Sequence, residues 1–255
     1  EIENILSSYV GWFDPFSELI QNALDSLEER ARTKIKNYKP SLRILITLEK
    51  KQTSLTVSDN GTGLSEEQYR QFLAPSFSFK SGKTRGHKGV GATFLAYGFN
   101  FIQIATKTED YAHIGKMDNA RKWLSDPTPA SNPLIIPDKG PCIDPGFKNF
   151  DKGVSITLRF DPSTVPGDLN WIKADTASAW KEMLLLKTGL GAIQAPLNAE
   201  VHLEVSTSDG SKTKESWTAS EYNWPHKLVG KSKSLVEVQN KSEALHAKHG
   251  KDYQM

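Results

Sequence analysis

The chain has little of several features that would place it in a special class of protein. It carries one cysteine, Cys142, in 255 residues, which excludes an internal disulfide and leads us to expect a reducing, cytoplasmic setting. Its richest apolar stretch, residues 90–104, is broken by Asn100 and Gln103, so no run is long enough to cross a membrane. The formal net charge of +2 is too small to indicate a nucleic-acid or acidic-membrane partner.

The composition that remains is that of an ordinary globular protein. Hydrophobic residues make up 37% of the chain and charged residues 24%, which supplies enough apolar material for a sizeable core. The six histidines lack metal-ligand spacing. The sequence begins at Glu1 instead of methionine and without a signal peptide, so we expect a segment of a longer protein.

Hydrophobic periodicity predicts alternating helices and strands. Asp14 and Pro15 form a helix start signal, and apolar residues at helical spacing follow them. Residues 75–91 are predicted to be a mobile loop, and residues 111–151, rich in proline and glycine, an irregular insertion. The other predicted helices lie at residues 66–73, 92–97 and 169–186, and the predicted strands at 42–48, 54–57, 101–106, 154–160 and 201–205.

A polar stripe lies along the first long helix. Asn22 and Asp25 follow Glu18 by four and seven residues, so the three side chains lie within about 40° of one another. The amide oxygen of Asn22 can bind Mg²⁺ without adding negative charge, and the carboxylate of Glu18 can accept a proton from an attacking water. The alternative is the plain polar face of an amphipathic helix, so this motif becomes informative only with its companions.

An acidic residue ends the second predicted strand and begins a tight turn through Gly61 and Gly63. A carboxylate such as that of Asp59, at the base of an apolar pocket, accepts a hydrogen bond from the exocyclic amine of adenine and repels the carbonyl of guanine. Gly63 has no Cβ and would let a base approach the backbone. A sharp surface turn would explain the same residues, because Asn-Gly pairs favour turns.

The third motif is a glycine-rich, basic segment that leads into the helix predicted from residue 92. Free backbone N–H groups at a helix start can cradle phosphates, so this segment is predicted to form a flexible lid. A basic loop with glycines for flexibility is the alternative. The residues assigned to the lid are Lys83, Gly86, His87, Lys88, Gly89, Val90 and Gly91.

The same segment contains Gly82, Lys83 and Thr84, which match the end of a P-loop pattern. The full pattern needs a glycine five positions before Gly82, where this chain has Phe77. The P-loop also follows a strand, and none is predicted there. The P-loop interpretation is therefore strongly disfavoured.

Taken together, the three motifs resemble those of the GHKL ATPase superfamily. This group includes gyrase B, a class of heat-shock chaperones, MutL, histidine kinases and the MORC proteins. The motifs occur in the family's order, and the resemblance covers about residues 7–160. The run from Ser76 to Ser81 is most similar to MORC-type members.

The resemblance implies a role for each matching residue. Glu18 is similar to the general base that activates water, and Asn22 to the Mg²⁺ ligand that also touches phosphate. Asp25 resembles the motif's second, structural acid. Asp59 corresponds to the adenine-binding acid, with Gly63 beneath the base, and the lid glycines correspond to the loop that covers the phosphates.

The family's fourth motif is matched least well. It usually shows Gly-Thr before a strand, whereas here Gly153 is followed by Val154. Ser155 and Thr157 are nearby, and Thr157 is taken as the candidate hydroxyl. The expected ATP-binding set, besides the catalytic Glu18, is therefore the lid together with Asn22, Asp25, Asp59, Gly61, Gly63 and Thr157.

The resemblance also implies a fold, cofactors and a mode of action. The expected fold is α+β, a two-layer α/β sandwich (Bergerat fold) with a mixed, largely antiparallel sheet and helices on one face. Residues 1–206 would form the ATP-binding domain, and residues 207–255 a C-terminal extension or the start of a following domain. ATP and Mg²⁺ are the implied cofactors, and ATP would close the lid and drive homodimerisation within a larger protein that contains other modules.

Other functions remain open. A histidine-kinase-like domain needs a phosphoacceptor histidine on a preceding helix, and no histidine occurs before His87. A module that binds ATP without hydrolysing it is a third possibility, and several family members need a lysine from a second domain, so slow turnover by this segment is expected. A nucleic-acid partner follows from family analogy alone.

Overall fold

A computed structural model describes residues 1–49, 52–72, 90–126, 128, 131–192 and 197–219, and these residues fold around one mixed β-sheet. The helices are α1 (Ile2–Ser8), α2 (Asp14–Arg32), α3 (Glu66–Gln71), α4 (Val90–Tyr97), α5 (Ala120–Ser125) and α6 (Ala177–Lys187). The strands are β1 (Ser41–Leu48), β2 (Ser54–Asp59), β3 (Phe101–Lys107), β4 (Ala112–Asp118), β5 (Ile136–Pro137), β6 (Gly153–Arg159), β7 (Glu200–Thr207) and β8 (Lys212–Thr218).

The sheet is largely antiparallel. Its strands lie in the order β5-β4-β3-β6-β2-β1-β7-β8. Only the β1–β7 pair among them is parallel, with Ser41 opposite Glu200 and Leu48 opposite Thr207. The expected α+β fold with a mixed, mostly antiparallel sheet is therefore confirmed, and its arrangement agrees with a two-layer α/β sandwich.

Helix α2 is the longest helix in the described ranges. It begins as predicted, with proline in its first turn, and it ends with Arg30 and Arg32 near the negative end of the helix dipole. Its apolar side chains repeat at helical spacing and are buried against the sheet. They are Phe16, Leu19, Ile20, Ala23, Leu24 and Leu27.

The two faces of the sheet differ in chemistry. Side chains alternate along β2, so Leu55, Val57 and Asp59 share the face that α2 covers. Thr56 and Ser58 point to the opposite face. There the Thr56 hydroxyl lies 2.8 Å from that of Thr157 on β6, within a layer of buried polar side chains.

Residues 131–150 cover this polar face. Gln103 on β3 donates to the carboxylate of Asp138 at 2.7 Å and accepts from the backbone N–H of Ile143 at 2.9 Å. Arg43 on β1 forms two hydrogen bonds, of 2.9 and 3.0 Å, with the fully buried carboxylate of Asp144. These contacts attach the second half of the predicted insertion to the sheet.

The prediction that residues 111–151 are wholly irregular is wrong. Strand β4 pairs with β3 along its whole length, and α5 follows it. The sequence does not predict β4, because Gly115 interrupts the strand and its alternation of apolar and polar residues is weak. A Cβ on Gly115 would collide with the hydroxyl of Tyr69, so close packing of α3 explains the glycine.

The helix predicted at residues 169–186 forms only in its second half. A short 3₁₀ segment, Asn170–Ile172, ends where Lys173 adopts a left-handed conformation with φ of 54°. Helix α6 then starts after Thr176, whose side chain accepts a hydrogen bond from the N–H of Ala179. The left-handed residue breaks the helix that apolar spacing alone predicted.

Strand β8 is a sheet strand that the sequence does not predict. It pairs with β7 through the turn at Asp209 and Gly210, so the sheet continues past residue 206. Residues 73–89, which include most of the predicted lid, and residues 220–255 lie outside the described part of the chain. No helix in the described ranges has both the length and the apolar character needed to cross a membrane.

Candidate functional site

Asp59 lies at the end of β2 beneath α2 and is only 4% exposed. One of its carboxylate oxygens accepts hydrogen bonds from the N–H of Gly61 at 2.8 Å and from the hydroxyl of Ser26 on α2 at 3.2 Å. Burial raises the pKa of the carboxyl group to about 7, even though these hydrogen bonds and Arg30 act in the opposite direction. The group therefore changes protonation near neutral pH.

The turn after Asp59 is held by Arg30, in the last part of α2. Its guanidinium donates to the carbonyl of Asn60 at 2.7 Å and forms a two-point ion pair with Asp151, with its shorter bond at 2.6 Å. The same guanidinium lies over the ring of Tyr38, 4.6 Å from its centroid. The turn is thus fixed to α2 at both its backbone and its acidic residue.

Gly63 is required by the backbone. Its φ is +74°, a conformation that favours glycine, and a Cβ there would collide with the carbonyl oxygen of Lys107 at the end of β3. The next residue, Leu64, donates its N–H to the hydroxyl of Thr106 at 2.8 Å. These contacts account for the glycine without any bound base.

Glu18 lies on α2, two turns before Ser26. The hydroxyl of Tyr9, the residue that follows α1, donates to Oε1 of Glu18 at 2.9 Å. The Tyr9 ring stacks on Phe94 of α4, with centroids 4.0 Å apart and planes 3° from parallel. Burial first, and then the negative charge of Glu18, raises the pKa of Tyr9 well above its ordinary value, so the phenol stays protonated.

The first turn of α4 contacts Glu18 directly. A Cβ built on Gly91 would overlap Oε2 of Glu18, so the carboxylate lies against the backbone of this turn. Val90 and Gly91 are helical, so α4 begins two residues earlier than the helix start predicted at residue 92. The structure therefore brings the first motif and the end of the third motif together.

Asn22 and Asp25 lie on α2 between Glu18 and Ser26. Asn22 is half-buried and Asp25 is 8% exposed. No group of three or more histidine, cysteine or acidic side chains in the described ranges has an arrangement that could hold a metal. The side-chain oxygens of Asn22 and Asp25 are nevertheless of the kind that Mg²⁺ prefers. This ion usually takes only one or two ligands from the protein, and the others come from water and substrate phosphates.

Thr157 does not join the other predicted residues. On β6 it pairs with Thr56, so its side chain lies on the face opposite Asp59 and bonds to the Thr56 hydroxyl. We therefore correct its assignment, because period-two alternation in a strand separates it from the α2 side. The remaining lid residues, Lys83, Gly86, His87, Lys88 and Gly89, lie outside the described residues.

Four residues with a clear place in this site are absent from the sequence-based set. Ser26 and Arg30 continue the four-residue step that begins at Glu18 and Asn22, so extending the stripe along α2 would have found them. Tyr9 and Thr106 reach the site only through tertiary packing, and no local pattern in the sequence marks them.

No protein-family model matches the chain, and a search of curated proteins finds no significant match.

Proposed function

We propose that this chain binds ATP with Mg²⁺ and hydrolyses it slowly, as a nucleotide-controlled module of the GHKL type. The observation that carries the proposal is the polar stripe of α2. One end of the stripe, at Ser26 and Arg30, bonds the buried Asp59 turn. The other end, at Glu18, contacts the first turn of α4. Ser26 and Glu18 are roughly 12 Å apart along the helix, a length comparable to that of a purine nucleoside triphosphate.

Adenine recognition is assigned to Asp59. The buried carboxylate accepts from Gly61 and Ser26 and has a further backbone contact with Val154, so its orientation is fixed, and its two oxygens have lone pairs enough to accept also from the exocyclic amine of the base. Because burial makes the free carboxylate unfavourable, a donor from the ligand would stabilise its ionised form. Guanine presents a carbonyl at the same position, so discrimination against it is expected.

Hydrolysis is assigned to Glu18 and the start of α4. Mg²⁺, when bound, would neutralise charge on the phosphates, with Asn22 as its protein ligand. Glu18 would accept the proton of the attacking water, and N–H groups of the first turn of α4 would bind phosphate oxygens. Closure of the lid, ATP-dependent homodimerisation and coupling to other modules belong to the same proposal.

Binding is tested by calorimetric titration of the full chain with ATP and with GTP, each with Mg²⁺. We expect ATP to bind and GTP to bind much more weakly, and Asp59→Asn to lose at least tenfold in ATP affinity. Asp209→Asn is the matched control, because Asp209 also follows a strand in a tight turn but lies at the β7–β8 hairpin. If titration with ATP and Mg²⁺ gave no heat of binding, the proposal would be overturned.

Hydrolysis is tested by phosphate release from wild type and Glu18→Gln. We expect Glu18→Gln to bind ATP normally and to lose more than a hundredfold in turnover. Glu29→Gln, the same change at an exposed position of α2, is the control and should turn over like wild type. Equal rates for Glu18→Gln and wild type would refute Glu18 as the base, and binding without turnover by wild type would leave a non-hydrolysing module.

A further inference from the structure

Tyr9 lies where three helices meet. It follows α1 directly, its ring stacks on Phe94 of α4, and its hydroxyl bonds Glu18 of α2. The ring stack has a centroid separation of 4.0 Å and nearly parallel planes, so the phenol has little freedom to turn away. This geometry fixes the hydroxyl hydrogen bond to one oxygen of one carboxylate.

We propose that Tyr9 is a positioning residue for the carboxylate of Glu18. Its hydroxyl holds Oε1, which leaves Oε2 against Gly91 at the first turn of α4, the place proposed for the phosphates. This inference rests on the proposed hydrolysis of ATP. It adds a residue that lies before α2, outside all three sequence motifs.

The phenol can act only as a donor to Glu18. Burial and the neighbouring negative charge keep it protonated, and an ionised carboxylate has no proton to donate in return. The O–H···O⁻ bond is charge-assisted, at 2.9 Å between Tyr9 and Glu18, and restricts the rotation of a flexible side chain.

The hydrogen bond has two opposing effects on a general base. A donor to the carboxylate lowers its basicity, which slows proton transfer. It also holds the carboxylate in one orientation, and small errors in orientation reduce the rate strongly. Glu18 is half-buried, and its carboxylate is positioned between Tyr9 and the backbone of Gly91, so we take the second effect as the larger and expect removal of the hydroxyl to lower turnover.

Tyr9→Phe is a sharp test because it removes one oxygen and retains the ring that stacks on Phe94. With the full chain, ATP and Mg²⁺, we expect kcat to fall roughly tenfold while KM and the dissociation constant of ATP stay within about twofold. Tyr69→Phe is the matched control, since it likewise removes a hydroxyl that donates a hydrogen bond, but to the backbone carbonyl of Ile104 instead of to Glu18. It should leave kcat unchanged.

A double-mutant cycle separates positioning from general loosening. If Tyr9 acts through Glu18, Tyr9→Phe should have no further effect on turnover in the Glu18→Gln background. Additive losses, or a fall in kcat matched by an equal loss of ATP affinity, would overturn the inference. Turnover by Tyr9→Phe at the wild-type rate would also overturn the inference. If Glu18→Gln still showed a large loss of turnover, the proposed function would stand without a role for Tyr9. Absence of turnover in wild type would refute hydrolysis and this inference together.

Discussion

At the scale of single residues, the site depends on carboxylates in unlike surroundings. Asp59 is almost fully buried, with a pKa raised to about 7, while Asp151 is largely exposed and paired with Arg30, which holds the pKa of Asp151 below its ordinary value. The first environment disfavours negative charge and the second stabilises it. The two acids therefore affect stability in opposite directions as pH changes.

Asp59 provides a prediction of pH-dependent stability. In the folded protein its pKa is about 7, against an ordinary value of 3.8, so the folded state holds a proton that the unfolded chain releases in this window. The contribution of Asp59 to stability is present below the lower value and is lost as pH rises towards 7. Asp59→Asn removes the charge and can still accept from Gly61.

We therefore expect Asp59→Asn to be more stable than wild type at pH 8 in the absence of nucleotide, with a smaller advantage at pH 5. Urea denaturation at the two pH values measures this, with Asp209→Asn as control for a general effect of charge removal. An advantage of the same size at pH 5 and pH 8 would contradict the raised pKa of Asp59.

At the scale of elements, the approach of α2 to α4 depends on Gly91. A Cβ at this position would overlap the end of the Glu18 side chain, which would have to move and would weaken its hydrogen bond from Tyr9. Because alanine favours helices over glycine by roughly 0.5–1 kcal/mol, a gain comparable to the value of that hydrogen bond, Gly91→Ala should leave the free energy of unfolding nearly unchanged. The displaced carboxylate should nevertheless reduce ATP turnover at least tenfold.

Phosphate release and urea denaturation of Gly91→Ala test this separation of stability from activity. Gly140→Ala is the control, since its new Cβ would lie 3.3 Å from a side-chain oxygen of Asp138, away from α2. Unchanged turnover in Gly91→Ala would mean that the contact between Glu18 and α4 has no part in catalysis.

The elements that could be predicted are those whose burial pattern is local. Helix α2 has a proline start and a repeated apolar face, and β1 alternates between buried and half-buried residues, so both follow from sequence. Strands β4 and β8 are polar or interrupted by glycine, and pairing with neighbours alone makes them strands. Left-handed Lys173, which divides the predicted fourth helix, has no local signal.

The residues of the candidate site also differ in whether a local sequence pattern predicts them. Glu18, Asn22 and Asp25 share a helix, so their spacing alone places them on one stripe. Thr157 was misassigned because closeness in sequence to Gly153 does not decide which face of β6 a side chain occupies. Tyr9 could not be assigned, since its bond to Glu18 arises only when α1 packs against α4.

At the scale of the whole molecule, the sheet separates two tasks. Its α2 side carries the candidate site, and its other side carries the buried polar layer and the Arg43–Asp144 ion pair. We expect Arg43→Ala to lower the free energy of unfolding by roughly 3 kcal/mol, because it leaves the buried Asp144 carboxylate without its cation. ATP affinity should stay unchanged, since the change lies on the opposite face.

Urea denaturation and calorimetric titration of the same samples measure both quantities. Lys116→Ala is the control, because it breaks an exposed ion pair with Asp118 and should have little effect on stability. A loss of ATP affinity in folded Arg43→Ala would show that the two faces are not independent.

The parallel pairing of β1 with β7 has a consequence for folding during synthesis. Ser41 meets its partner Glu200 only after nearly the whole described chain has been synthesised. Until then, one edge of β1 remains unpaired beside the apolar side chains of a central strand, where another nascent chain could join it. Because the pair joins residues far apart in sequence, closure of the sheet at β1 and β7 is expected to be a late and slow step of folding.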